Sequence, residues 1–229
     1  MDHAKRRALQ LTGQAPRVDR YEGHECSVDG CDRVCRALSR YCRRHASQHY
    51  RTRNPAGRMP RRGELIPYRD RAAFALEAYG LAAHPAIVAA EKTLEQMIAR
   101  PGEMPEPFAR HWRRLNEGGA TGRAMLLEIL SVFGLRYVGV RDVFTDDPVF
   151  FACLGSRFLR TVSVGWKTTA GGKLEQVRLP GLEAEVVGRA LAQRIGGLAI
   201  LFWNAVDRED EKRTAAAMSI REALEQDPL

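Results

Sequence analysis

The chain has 229 residues, 45% hydrophobic and 28% charged, with a formal net charge of +8. That length allows a buried apolar core with a small appendage beside it. The longest apolar patch, Ile195 to Val206, is too short to span a bilayer, so no membrane is expected as a partner. The charge is uneven: residues 1 to 71 hold 17 of the 36 basic but only 8 of the 28 acidic residues, a net of +9, and the remainder sums to −1.

Residues 1 to 23 mix charge with Gly and Pro and read as a flexible lead-in, with one helical turn at Ala4 to Leu11. They contain no apolar stretch of the secretory-signal kind. A cytoplasmic, reducing setting is therefore expected, in which clustered cysteines hold metal rather than form disulfides.

Residues 24 to 54 contain four of the five cysteines. Cys26 and Cys31 flank four residues that include Asp29-Gly30, a pair suited to a tight turn that brings two thiolates to one ion. Cys42 and His45 follow as C-x2-H. Together they make a Cys3His set for one zinc ion, closed to water and hence structural, in a segment too poor in large apolar residues to fold by burial alone. Cys35 is an alternative for Cys31 or Cys42, His49 lies one helical turn beyond His45 and could replace it, and His24 is a further alternative.

The run C-S-V-D-G-C-D-R, then C-R-R-H, then H-Y-R-T-R-N-P-A-G-R resembles a short zinc-binding module of bacterial and phage mobile-element proteins and of proteins associated with His-Asn-His nucleases. The resemblance covers about residues 26 to 58. It implies nucleic-acid binding beside a separate functional domain.

Between Arg36 and Arg71 there are eleven arginines, opposed by only Glu64 and Asp70. The guanidinium fork engages phosphate with two parallel hydrogen bonds, and a basic stripe is the footprint of nucleic-acid contact. Arg43, Arg44, Arg51, Arg53, Arg58, Arg61 and Arg62 are the candidate contacts, with DNA the expected partner. Residues 55 to 66, interrupted by Pro and Gly, read as an extended basic linker.

A helical domain is expected over residues 67 to 229. Its first helix opens at Pro67 and closes at Gly80; a second spans Pro85 to Arg100; a third, Phe108 to Glu117, carries His111-Trp112-Arg113-Arg114. A fourth covers residues 121 to 134, and Asp146-Asp147-Pro148 caps a fifth through Arg160 with Cys153 buried in it. Alternation of Val162, Val164 and Trp166, a turn at Ala170-Gly-Gly, then Leu174, Val177 and Leu179 suggest one β-hairpin. Lys167, Lys173 and Arg178 would be its basic side chains. Gly-Gly-Lys here lacks the order of a phosphate-binding loop. A helix from Leu182 to Ile195, broken at Gly196-Gly197, precedes a buried apolar segment to Val206, and Asp207 caps a final surface helix.

The fold class expected is thus mainly α: a small N-terminal zinc module followed by a helical domain, with one β-hairpin. The function expected is a zinc-stabilised, DNA-binding, regulatory or mobile-element-associated protein whose helical domain also offers a surface for a protein partner. A nuclease or recombination factor is one alternative, although no catalytic residues can be named, and a zinc-dependent protein adaptor is the other.

Overall fold

The computed structural model describes residues 23–35, 39–103, 108–139, 143–162, 166–168, 174–176 and 180–226. The expected helical turn at Ala4 to Leu11, the hairpin turn at Ala170-Gly-Gly, and Val164, Lys173, Val177, Arg178 and Leu179 lie outside them. Two compact units are present, Met1–Ser47 and Gln48–Leu229, divided inside helix α1 (Arg43–Thr52).

The fold is mainly α, as expected. After α1 come α2 (Arg62–Ala78), α3 (Pro85–Ala99), α4 (Phe108–Glu117), α5 (Gly122–Tyr137), α6 (Asp147–Leu159) and α7 (Gly181–Gln226). Two short antiparallel strands, β1 (Trp166–Thr168) and β2 (Leu174–Gln176), pair with Lys167 opposite Glu175, which supplies the hairpin.

The second unit is organised around α5, which packs against α2, α3, α6 and α7. Met125, Leu126, Ile129, Leu130 and Phe133 of α5 are buried on several sides at once. A helix enclosed by neighbours carries apolar residues around most of its circumference rather than along one stripe. Its start is fixed by chemistry: the Thr121 hydroxyl accepts from the Ala124 N–H (3.2 Å), and Glu95 of α3 accepts from the Gly122 N–H (2.8 Å).

Two expectations about helix limits are corrected. Helix α2 begins at Arg62, five residues before Pro67, because the Glu64 carboxylate accepts from the Arg61 backbone N–H (2.7 Å) and closes the first turn. Pro67 then lies inside the helix, where burial of Leu65, Ala72, Ala75 and Leu76 offsets the lost backbone bond. Helix α7 runs for 46 residues straight through Gly196-Gly197 and Asp207. Each glycine costs a helix about 1 kcal/mol, which the burial of Ile195, Ala199, Phe202, Trp203 and Val206 outweighs. By length and composition α7 could cross a membrane, but this apolar face belongs to the core.

Elsewhere the local signals hold. Asp146 caps α6 by accepting from the Val149 N–H (2.8 Å), with Pro148 in the first turn. Cys153 is buried, and burial pushes its thiol up to about 12. Trp112 is also buried, beside Phe158. The expected extended basic linker, residues 55 to 66, is corrected: residues 62 to 66 belong to α2, and residues 54 to 60 are held on the second unit. Asn54 Nδ2 donates to Asp146 (2.6 Å) while its Oδ1 accepts from the Ala56 and Gly57 N–H groups (2.9 and 3.0 Å). Met59 packs on the core.

Candidate metal centre and basic side chains

The first unit is built from a hairpin-like knuckle and the start of α1. Glu25 and Val34 form an antiparallel bridge, and the Cys26 N–H donates to the Arg33 carbonyl (3.2 Å). Between them the chain reverses at Asp29-Gly30. Gly30 has φ +71°, in the left-handed region that glycine enters without a Cβ penalty, and the Cys31 N–H closes the turn on the Val28 carbonyl (3.1 Å). The thiols of Cys26 and Cys31 are thereby turned the same way. Cys42 stands immediately before α1, its carbonyl accepting from the Ala46 N–H (2.8 Å), and His45 follows in the first turn.

These pieces bring the ligand atoms of Cys26, Cys31, Cys42 and His45 within 4.8 Å of one another. Cys26 Sγ is 3.2 Å from His45 Nδ1, and the sulfurs of Cys31 and Cys42 are 4.0 Å apart. Two thiolates on one tetrahedral zinc, each about 2.3 Å from it, would stand roughly 3.8 Å apart. The donor set therefore fits a single metal ion.

The electrostatics favour a thiolate at one corner. Burial opposes ionisation of Cys26, but the backbone N–H of Cys42, which donates to its sulfur (3.3 Å), and the His45 side chain together lower its pKa to about 6. Cys31 benefits from a backbone hydrogen bond at Arg33, yet burial and the two neighbouring thiols push it the other way. A cation in the centre would relieve that mutual opposition.

Cys35 is buried beside the same group, and burial, then the neighbouring cysteines, raise its thiol. It is not one of the four clustered donors; its N–H instead donates to the His24 carbonyl (2.8 Å) and holds the knuckle closed. His24 is exposed, and His49 lies one turn further along α1 than His45, outside the cluster.

The candidate nucleic-acid contacts are all exposed. Arg43 and Arg44 belong to the first unit; Arg51, Arg53, Arg58, Arg61 and Arg62 belong to the second. Arg53 sits at φ 62°, just past the end of α1. One candidate is already engaged: Arg58 pairs with both oxygens of Glu64 (2.9 and 2.7 Å), so its charge is locally balanced. Arg160 was not singled out by any sequence signal, yet it is a basic side chain with no ion pair among the described residues.

Comparisons of the chain with protein-family models, curated proteins and solved structures return no match.

Proposed function

We propose that this is a zinc-stabilised nucleic-acid-binding protein, with DNA as its partner. Cys26, Cys31, Cys42 and His45 would hold one structural zinc ion, which supplies the folding free energy that the small first unit lacks in apolar burial. The observation that carries the reading is the conjunction of this four-donor cluster with exposed arginines that have almost no acidic opposition along the same stretch of chain. Phosphate contacts of this kind give affinity that falls steeply with salt and carry little sequence information.

The nuclease alternative draws little from the described residues. His84 caps α3 by accepting from the Ala86 N–H, and His111 is buried against Glu183 at 2.6 Å, so both downstream histidines have structural work. The test is an anisotropy titration of the zinc-loaded protein against mixed-sequence duplex DNA and single-stranded RNA at low and near-physiological salt. Salt-sensitive binding to duplex, lost when Arg51, Arg53, Arg61 and Arg62 are changed to Gln, is the expected result. Absence of binding at low salt would overturn the reading and favour a protein adaptor.

A further inference from the structure

Arg110 and Arg114 lie one turn apart on α4. Arg114 Nη2 donates to the carbonyl of Leu159, the last residue of α6, and the next residue, Arg160, caps that helix through its N–H to the Arg157 carbonyl (3.1 Å). Gly155 of α6 lies against Ala184 of α7, and Gly181, at the start of α7, lies against the backbone of Tyr50 and Arg51, so the chain at Arg51 comes to the same end of α6. The end of α6 therefore collects basic side chains that sequence separates widely.

Two members of the group are neutralised. Arg110 pairs with Glu183 (3.1 Å) and Arg157 with Glu128 (2.7 Å). Arg51, Arg114 and Arg160 have no such carboxylate among the described residues. Arg114 Nε is buried and lacks a hydrogen-bond partner there. Burial lowers the pKa of Arg114, with Arg160 and Arg110 adding to the effect, and burial likewise lowers that of Arg160, with Arg157 and Arg51 adding. Arg51 and Arg160 are exposed, but Arg114 is half-buried, and a half-buried guanidinium among like charges is costly to hold without a counter-charge.

A purely structural role explains only part of this. A guanidinium on the last carbonyls of a helix is a favourable cap, and it accounts for Arg114 Nη2. It leaves Arg114 Nε and the Arg160 side chain unaccounted for. Gly181, the first residue of α7, is packed so tightly on the backbone of Tyr50 and Arg51 that a Cβ would come within 2.4 Å of the Tyr50 carbonyl oxygen. The positive end of that 46-residue helix thus starts beside Arg51 and adds to the local potential.

The geometry points to a phosphate-binding site at the C-terminal end of α6, formed by Arg51, Arg114 and Arg160, that engages the backbone of a bound nucleic acid. The oxyanion chemistry stands on these residues alone; the nucleic-acid source rests on the proposed function.

Two arms separate these parts. In the first, the full-length zinc-loaded protein is melted with increasing inorganic pyrophosphate against sodium chloride of equal ionic strength. A saturable rise in melting temperature is expected for the wild type and should be absent in Arg160→Gln, an exposed position that tolerates substitution, and in Arg114→Gln. No response in the wild type, or an undiminished one in Arg160→Gln, overturns the site. In the second arm, the salt dependence of duplex DNA binding is measured. Arg160→Gln should reduce the log–log slope by about 0.9, the value of one phosphate contact, in addition to any change from Arg61→Gln and Arg62→Gln. A pyrophosphate response with an unchanged DNA slope overturns the nucleic-acid source and assigns the site to a free phosphate compound. If the wild type binds no DNA, the proposed function fails and the same source assignment falls with it, while the pyrophosphate arm still decides the site.

Discussion

Gly155 of α6 and Gly188 of α7 face each other where the two helices cross: a Cβ on Gly188 would stand 1.9 Å from the Phe151 carbonyl oxygen and 2.9 Å from the Gly155 nitrogen. Neither helix can carry a side chain there without moving apart from its partner. Gly188→Ala, which raises intrinsic helix propensity, is nevertheless expected to destabilise the second unit by about 1–3 kcal/mol, the usual cost of overpacking. A urea or thermal melt of the variant checks this, and a stabilised protein would show that the crossing is looser than described.

Removing the proposed zinc should act on one unit. Cys42→Ser takes away one of four clustered donors, so the variant is expected to lose its zinc and the folded structure of the first unit while the cooperative melt of the helical unit persists. Cys35→Ser is the control. Its thiol is buried but outside the donor set, and the variant should retain one zinc per chain by elemental analysis. Loss of zinc from Cys35→Ser with retention in Cys42→Ser would reverse the ligand assignment.

Acid should weaken the second unit partly through Asp210. The Tyr79 hydroxyl, and then Arg71 (2.6 Å), hold its carboxyl below the ordinary value. Because the folded pKa is the lower one, the unfolded chain takes up a proton first as pH falls. The stabilisation is fully present above about pH 4, the unperturbed aspartate value, and is lost as pH drops through the folded value. Asp210→Asn is expected to flatten the acid limb of stability against pH in urea melts. Some slope should survive, since Glu64, held by Arg58 first and by the Arg61 N–H next, is shifted in the same direction.

Asp146 has two tasks, capping α6 and receiving Asn54 from 92 positions earlier in the chain. Asp146→Ala should cost about 1 kcal/mol for the cap and also release residues 54 to 60. Limited proteolysis with trypsin would then cut after Arg58 sooner than in the wild type. An unchanged cleavage rate would mean that Gly57 on Val149 and Met59 on the core hold this segment without the hydrogen bond.

The parts of the fold written in local chemistry were legible. The span of α4, the Asp146 cap with Pro148, the turn at Asp29-Gly30 and the spacing of Cys26, Cys31, Cys42 and His45 each depend on neighbours within a few residues. What was misplaced depends either on burial against distant parts of the chain or on side-chain pairings that propensity does not register. Gly196-Gly197 and Asp207 carry the marks of helix ends, but a helix whose face is buried over several turns does not stop at a weak propensity signal. Pro67 looked like a helix start because the earlier cap is provided by a glutamate side chain reaching back to Arg61. The pairing of Arg58 with Glu64 was likewise invisible in a count of charges, as was the meeting of Asn54 with Asp146.

Helix α7 is one element by its backbone but two by its surroundings. Among the residues whose burial is described, its last buried side chain is Val206, and residues 211 to 219 are exposed. From Val206 to Gln226 the axis advances about 30 Å at 1.5 Å per residue. Over that length the helix has Asp207 and Asp210 tied to Arg71 at its beginning and no core burial among the described residues beyond it. Amide hydrogens should therefore divide along a single uninterrupted rod: those before Val206 exchange with deuterium only when the whole unit opens, and those after Asp210 exchange by unwinding from the end. The boundary between slow and fast exchange would mark where cooperative folding stops, within a helix that has no break in its hydrogen bonding to announce it.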